Sequence, residues 1–267
     1  ALMDSTGSQQ VTFIYPLIRD DYFHRSLETL EKFTDKSKYK IIVIDQTLSG
    51  IEWYPEDKRI DMVIRMKNQG FAYAANTGLR VGLSWGTPYL AVVNDDTEFI
   101  YPTWLEDALE EFKTDPKIMA INPECPKIAM WGYGMTGGEY LEILPFKEQF
   151  SMEDIEYLKK GDYNLVEIQS RTPYQIPLTF IHNHQKEDTV VHKRGVVDAF
   201  AGWLPIFKRE TLIQIGLYDE RFVWGGGEDY DMMGRIYSCA WPIPRENCDP
   251  KFHGRAVSTM KSWVWHH

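Results

Sequence analysis

LAVVNDD, residues 90–96, is an apolar run that ends abruptly in an amide and two carboxylates. Its first four residues have the length and the valine content of a strand that is buried on both faces. Asp95 and Asp96 then fall at the carboxyl end of that strand, where open α/β sheets bind their ligands. Two adjacent carboxylates repel each other unless a cation lies between them, and Mn²⁺ or Mg²⁺ prefers such oxygen ligands. The same letters also fit a strand followed by an Asp-rich turn.

Segments with strand and helix periodicity alternate on both sides of this run. We predict strands at 11–15, 40–45, 61–66, 90–94, 118–122, 196–200 and 203–207, and helices at 21–33, 71–85, 102–113, 209–215 and 228–240. This alternation is typical of the α/β class, here a mostly parallel, doubly wound sheet with helices on both faces. Between 123 and 195 it gives way to short strands and loops, which we interpret as an insertion that carries specificity.

The composition excludes several classes of protein. A chain of 267 residues that is 43% hydrophobic is long enough for one large α/β domain. The formal net charge of −10 and the lack of a Lys/Arg-rich run disfavour a general nucleic-acid-binding face. Three cysteines are too few for a disulfide framework, no stretch approaches a transmembrane span, and the polar start is not a signal peptide. We therefore expect a soluble, cytoplasmic protein, or a part of a longer one.

A second group of acids follows three glycines. Glu228 and Asp229 come directly after Gly225–Gly227, in the first turn of a predicted helix. The helix dipole favours acids there, so a purely structural role is one interpretation. Glycines also let another molecule approach the backbone closely, which would place a carboxylate as a general base toward a hydroxyl. Asp231 is four residues before Arg235, a spacing that predicts an ion pair.

Histidines offer a third kind of ligand. His253 follows a Pro-rich stretch at which the chain can cross the mouth of a site, and one imidazole with two carboxylates is a reasonable Mn²⁺ set. His182 and His184 would share one face of a strand. Because no third ligand is evident near that pair, we favour an ordinary wet strand face over a metal site.

Taken in order, these motifs resemble those of an inverting glycosyltransferase of the family 2 type, with the GT-A fold. The resemblance covers most of residues 11–122 and 196–260. VTFIYPLIRD and IIVIDQTLSG are similar to the first two strands, NQGFAYAANTGL to the helix start, LAVVNDDTEF to the metal motif, FAGWLPIFKRETLIQIGLYDERF to the acceptor and sugar loop, and GGGEDYDMMGR to the catalytic motif. The resemblance implies one GT-A-like domain over 1–267. This domain would have a nucleotide-binding half (11–122), an insertion (123–195) and an acceptor and catalytic half (196–260).

The resemblance also implies the chemistry and the residues that perform it. A sugar would move from a nucleotide-diphosphate sugar to a hydroxyl of a glycan or glycoconjugate, with inversion and with Mn²⁺ or Mg²⁺. Asp229 would be the base and Glu228 its support, while Asp96 and His253 would bind the metal. Trp203 and Trp224 would bind the acceptor. The nucleotide-sugar would contact Asp45, Asn68, Asn76, Asn94, Asp95 and Gly202.

The chain departs from the family pattern at Asn94, where an Asp is common, so that Asp95 and Asp96 share the work. There are three alternative functions, and each of them is disfavoured. A non-catalytic carbohydrate-binding or nucleotide-sugar-binding relative is disfavoured because Asp96, Asp229 and His253 are all present. A glycosyltransferase that modifies nucleic acid is disfavoured by the acidic balance. A sugar-nucleotide nucleotidyltransferase is disfavoured because no Gly-x-Gly-x-x-Arg loop occurs near the N-terminus.

Overall fold

The computed structural model describes residues 9–47, 57–125, 150–160, 162–164, 190–193, 196–197, 202–223, 226–238 and 253–267. Trp224, the pair His182 and His184, and most of the predicted insertion lie outside these residues. Within them, no helix is both long enough and apolar enough to cross a membrane.

Strands and helices alternate along the described chain. The strands are β1 Val11–Leu17, β2 Tyr39–Asp45, β3 Met62–Arg65, β4 Tyr89–Val92, β5 Thr97–Phe99, β6 Ile118–Glu124, β7 Asp162–Asn164, β8 Val190–Lys193, β9 Val196–Val197, β10 Ile206–Lys208 and β11 Arg255–His266. The helices are α1 Phe23–Phe33, α2 Phe71–Trp85, α3 Trp104–Thr114, α4 Met152–Lys160, α5 Arg209–Ile215 and α6 Glu228–Tyr237, with a 3-10 turn at Lys36–Lys38. The predicted helices at 71–85 and 209–215 are confirmed residue by residue.

The main sheet has the order β3-β2-β1-β4-β10-β6-β11-β5, with β9 beside β11, while β7 and β8 form a separate pair. Strands β3, β2, β1 and β4 run parallel, and β10 enters antiparallel between β4 and β6. The predicted α/β fold class is confirmed. The strand predicted at 203–207 begins only at Ile206, because Pro205 has no backbone N–H and bonds β4 only through its carbonyl, which accepts from Val92.

Strand β1 lies in the middle of two apolar layers. Phe13 and Tyr15 belong to the core cluster on one face, and Ile14 belongs to the cluster on the other face. Helix α2 packs very close to this second face, since a Cβ built on Gly78 would lie 2.3 Å from Ile14 Cγ2. A Cβ built on Gly82 would likewise lie 2.7 Å from Leu90 Cδ2. This close packing fixes the start of α2 near the carboxyl ends of the parallel strands.

Strand β11 is the main element that the sequence did not predict. It pairs parallel with β6 from Arg255 onward and ends antiparallel to β5, opposite Thr97 and Glu98. The strand therefore crosses the sheet from the amino edge of β6 to the edge at which β4 ends. Its last residues arrive beside the acids of the LAVVNDD run.

Candidate active site

The acids that follow β4 lie in a tight turn that three main-chain bonds hold in place. The N–H of Val93 donates to the carbonyl of Ile14 (2.8 Å), and the N–H of Thr97 donates back to the carbonyl of Asn94 (3.0 Å). The N–H of Asn94 donates to the carbonyl of Trp203 (3.0 Å), which also accepts from the Thr97 hydroxyl (3.1 Å). The turn is thus anchored both to β1 and to the segment that leads into β10.

The two acids of this turn have pKa values that are shifted in opposite directions. Burial and the neighbouring charge of Asp96 raise the pKa of Asp95 to about 6, against the charge of Arg19 and the N–H groups of Ile18 and Arg19. Burial also acts to raise the pKa of Asp96, but the hydrogen bond and charge of His266 outweigh it, so the pKa lies below its ordinary value. The two neighbouring carboxylates therefore differ: the pKa of Asp95 is raised, whereas the pKa of Asp96 is lowered.

These side chains fit a divalent ion that is also held by a substrate. Among the described residues, no three His, Cys, Asp or Glu side chains are grouped closely enough to hold a metal on their own. A hard ion such as Mg²⁺ is commonly held by one or two carboxylates together with substrate phosphates and water. Asp95 and Asp96, both only partly buried, can supply that protein share.

His266 is the residue at this turn that the sequence reasoning missed. Its Nε2 lies 3.1 Å from Asp96 Oδ1 and 3.2 Å from Asn94 Nδ2. Its ring centroid is 5.7 Å from that of Trp203. No local pattern marks it, because it reaches the turn only through the pairing of β11 with β5.

His253 lies at the other end of the same strand. It precedes β11, beside the amino edge of β6, and its Nδ1 is 3.0 Å from the carbonyl oxygen of Tyr237, the last residue of α6. Because β4 and β6 run the same way, Asp96 lies at the opposite edge of the sheet. The structure therefore does not bring the two predicted metal ligands, Asp96 and His253, together.

The second acid pair begins α6. Gly226 and Gly227 have φ values of 88° and 99°, a region in which glycine avoids the strain of other residues. Burial raises the pKa of both Glu228 and Asp229, while the N–H of Tyr230 donates to Asp229 Oδ1 at 2.9 Å. In the described part of the chain, Glu228 Oε2 is buried and has no hydrogen-bond partner. A desolvated carboxylate of this kind is more basic than one in water.

The i,i+4 pair predicted in α6 is confirmed. Arg235 Nη2 lies 2.8 Å from Asp231 Oδ2, and the arginine side chain is fully buried. Arg235 also donates to the carbonyl of Ile215 at the end of α5 (2.8 Å). Arg235 therefore joins α6 to the end of α5. Asp231, as its ion-pair partner, has a structural role.

Gly202 and Trp203 lie between the two acid pairs. A Cβ built on Gly202 would have Asp229 Oδ2 as its near neighbour, at 3.7 Å. The next residue, Trp203, accepts from Asn94 through its carbonyl, while its indole N–H donates to the carbonyl of Pro123 (2.8 Å). One short segment thus brings the turn after β4 next to the first turn of α6.

The carboxyl end of β2 supplies the side chains predicted to contact the donor. Asp45 is buried, and its Oδ1 accepts from the N–H (3.0 Å) and the hydroxyl (2.6 Å) of Thr47. Next to it, Gln46 accepts from the N–H of Gln69 (3.1 Å), while its buried Nε2 has no partner within the described residues. Asn68 is exposed and accepts from the N–H of Gly70 (3.0 Å). Gln46 is a polar residue at this edge that the sequence reasoning did not select.

Asn76 has a different environment from the other predicted donor contacts. It is 1% exposed, and both the N–H groups and the oxygen of its side-chain amide are hydrogen-bonded. It donates to the carbonyl of Tyr218 (2.8 Å) and to Glu220 (3.0 Å), and it accepts from the N–H of Tyr218 (2.9 Å). This geometry favours a structural role for Asn76, holding the turn that contains Tyr218, over the donor contact that the sequence predicts.

Comparisons with known proteins agree with this architecture. The family model described as Glycosyl transferase family 2 matches residues 18–154, just over half of the chain. The chain belongs to this family. The resemblance that the motifs predict is thereby confirmed, and no curated protein matches the chain closely enough to add to it.

Solved structures show the same fold at low identity. GalNAc-T7 with UDP, GalNAc and Mn²⁺ superposes with a TM-score of 0.58 at 18% identity, over 98% of this chain and 44% of that one. S. aureus TarS gives 0.54 at 11%, over 97% and 36%. The mannosyltransferase PcManGT from Pyrobaculum calidifontis, in complex with GDP-Man and Mn²⁺, gives 0.50 at 14%, over 96% and 58%. The chain thus spans less than two thirds of each of these proteins, and the likeness is one of fold.

Proposed function

We propose that this family 2 glycosyltransferase moves a sugar from a nucleotide-diphosphate sugar to an acceptor hydroxyl, with inversion at the anomeric carbon and with Mn²⁺ or Mg²⁺ as cofactor. The observation that carries the proposal is that one short segment touches both acid pairs: Trp203 accepts from the turn after β4, and Gly202 lies next to Asp229. Two of the similar structures contain Mn²⁺, and one of these also contains GDP-Man.

The donor half of the site is the edge formed by the ends of β2 and β4. Asp45 and Asn68 are suited to accept hydrogen bonds from the nucleoside, and the free N–H of Gln46 Nε2 can donate to it. Asp95 and Asp96 would hold the divalent ion, which supplies a Lewis acid that neutralises charge on the diphosphate leaving group. We propose that residues 11–122 form this half.

The acceptor half is built on the segment at 202–203 and on the start of α6. Trp203 would offer an aromatic face for a sugar ring, and Trp224, which lies outside the described residues, is the second aromatic residue that we propose for the acceptor. The hydroxyl oxygen of the acceptor attacks the anomeric carbon, its proton passes to Asp229, and the bond to the diphosphate breaks. Burial raises the pKa of Asp229 and so makes its carboxylate more basic for this transfer, and Glu228 would be a supporting residue beside it. We propose that the acceptor and catalytic half spans 196–260 and that the insertion at 123–195 selects the acceptor.

A screen of nucleotide-sugars tests this function. We expect one donor to raise the melting temperature of the protein in the presence of Mn²⁺, because a ligand that binds the native state stabilises it. Turnover with an acceptor should give a product whose anomeric configuration, read by proton NMR, is opposite to that of the donor. A retained configuration contradicts single displacement. Donor binding without any hydrolysis or transfer would instead favour the non-catalytic, sugar-nucleotide-binding relative.

A further inference from the structure

A short segment, residues 218–223, is hydrogen-bonded to helix α2 shortly before the second acid pair in the chain. The side chain of Asn76 holds the main chain of Tyr218 through both its N–H (2.9 Å) and its carbonyl (2.8 Å). Glu220 accepts from Asn76 (3.0 Å) and from Arg80 (2.6 Å). Because Asn76 and Arg80 belong to one helix, these bonds fix the position of the segment relative to the start of α2.

The last residue of this segment lies on the glycine that precedes α2. Gly70 has a φ of 94°, and a Cβ built on it would overlap the carbonyl oxygen of Val223 and lie 2.8 Å from the carbonyl carbon. Non-bonded carbon atoms are most stable about 3.5–4.0 Å apart, so a side chain at position 70 would push this carbonyl away by about 1 Å. Gly70 therefore allows the two main-chain segments to touch.

The neighbouring residue, Phe222, joins the segment to the start of α6. A Cβ built on Gly227 would lie 3.0 Å from Cε1 and 3.4 Å from Cδ1 of Phe222, so the aromatic ring lies directly against this glycine. The carbonyl of Gly227 accepts from the N–H of Asp231 (2.9 Å), which is the first main-chain bond of α6. The ring thus packs against the residue from which the helix carrying Glu228 and Asp229 begins.

We infer that Phe222 is a positioning residue for proton transfer: the contact of Val223 with Gly70 fixes it on one side, and its ring sets the position of Gly227, and with it of Asp229, on the other. The inference rests on the proposed function, because it is in that reaction that Asp229 takes a proton. A base must lie within hydrogen-bond reach of the hydroxyl, and a misplacement of about 1 Å can lower a rate by about 10²-fold.

Hydrogen–deuterium exchange tests this placement without measuring catalysis. Exchange at 228–231 would be followed by mass spectrometry in the wild type, Gly70→Ala and Gly86→Ala. Gly86 is the matched control, because it ends the same helix with a φ of 77°, and no described residue beyond its neighbours lies within 4 Å of a Cβ built there. Relative to exchange in strand β1, we expect exchange at 228–231 to become at least about tenfold faster in Gly70→Ala and to stay unchanged in Gly86→Ala.

The kinetics of Phe222→Ala distinguish positioning from a merely structural contribution. Phe33→Ala is the control, because this ring is also half-buried but packs against the core at the end of α1. UDP-GlcNAc, UDP-GalNAc and GDP-mannose would each be supplied with Mn²⁺, and release of UDP or GDP would be measured. We expect Phe222→Ala to lower kcat by about 10²-fold while the Kd of UDP or GDP in calorimetry changes by less than about twofold. Phe33→Ala should change only the melting temperature.

The outcomes separate this inference from the proposed function. Equal exchange in Gly70→Ala and Gly86→Ala, or equal kcat in Phe222→Ala and the wild type, overturns the inference and leaves sugar transfer intact. Faster exchange in Gly70→Ala in a protein that turns over no donor supports the inferred placement and contradicts the proposed function. If Gly70→Ala does not fold, exchange in Phe222→Ala and Phe33→Ala decides in the same way.

Discussion

The acid pair after β4 and the acid pair at the start of α6 are alike in sequence and opposite in environment. Burial and the charge of Asp96 raise the pKa of Asp95 despite Arg19, whereas the hydrogen bond and charge of His266 bring the pKa of Asp96 below its ordinary value despite burial. Glu228 and Asp229 both have raised pKa values, and backbone N–H groups are what lowers them. An acid pair near cationic groups is suited to hold an ion, whereas a desolvated pair at a helix start is suited to accept a proton.

Replacing the proposed base gives the largest expected effect. Asp229→Asn keeps the size of the side chain and an oxygen that accepts from Tyr230, but it cannot take the proton from the acceptor. We expect kcat to fall by about 10²–10⁴-fold, with donor affinity unchanged in calorimetry. Glu228→Gln is the matched control and should reduce kcat less. If Asp229→Asn is fully active, the base is Glu228 or a residue outside the described part of the chain.

Removing one acid of the first pair should affect binding and not proton transfer. Asp96→Ala is expected to lower the Mn²⁺-dependent affinity for the nucleoside diphosphate by more than about 100-fold, since indirect contacts alone cost 10–100-fold. Asp95→Ala should do less, because its carboxylate is the more readily protonated one. Calorimetry with and without Mn²⁺ measures both. Equal affinities for the wild type and Asp96→Ala would contradict the division of labour between the two pairs.

Asn76, which holds the turn before the second acid pair, allows a structural role to be distinguished from a role in donor binding. Tyr218 is near Glu228 and Asp229, whose charges help burial to raise its pKa, and Asn76 holds its main chain on both sides. We expect Asn76→Ala to lower the free energy of unfolding by about 3 kcal/mol, because a buried N–H and carbonyl lose their partners. Asn68→Ala, with one exposed bond, should cost less than about 1 kcal/mol. Denaturant unfolding measures both.

Donor affinity distinguishes the two roles of Asn76. A folded Asn76→Ala protein that binds the donor as tightly as the wild type supports the structural role. A stable variant with weakened donor binding would instead support the donor contact that the sequence predicts.

The pH dependence of stability gives the smallest expected effect. The pKa of Asp95 is about 6 in the folded protein and 3.8 as its ordinary value, so the folded state binds more protons between these limits. Stability from this group is therefore present below pH 4 and is lost as the pH rises through 6. Relative to Asp95→Asn, the metal-free wild type should lose about 2 kcal/mol of unfolding free energy between pH 4 and pH 7. Parallel stability curves for the two proteins would show that Arg19 already neutralises the pair.

The sequence determined the fold class and the position of both acid pairs. Strands such as β1 and β2 are continuous apolar runs, and α2 has a helical pattern between Gly70 and Gly86, so local periodicity was sufficient to find them. Asp96 and Asp229 follow directly from such elements, one at the end of a strand and one at the start of a helix. Their chemistry could therefore be predicted from residues that are close together in the chain.

Tertiary structure alone decided how those acids are partnered. Asn76 shares the residue type of a donor contact, but only the packing of α2 against the turn at 217–220 shows that its amide is already used. His253 and His266 look alike in sequence, and the parallel pairing of β11 with β6 sends one to each edge of the sheet. Such pairings join residues more than 100 positions apart, so short-range periodicity carries no information about them. The partners of a side chain, and with them its protonation and its role, are set by those long-range contacts.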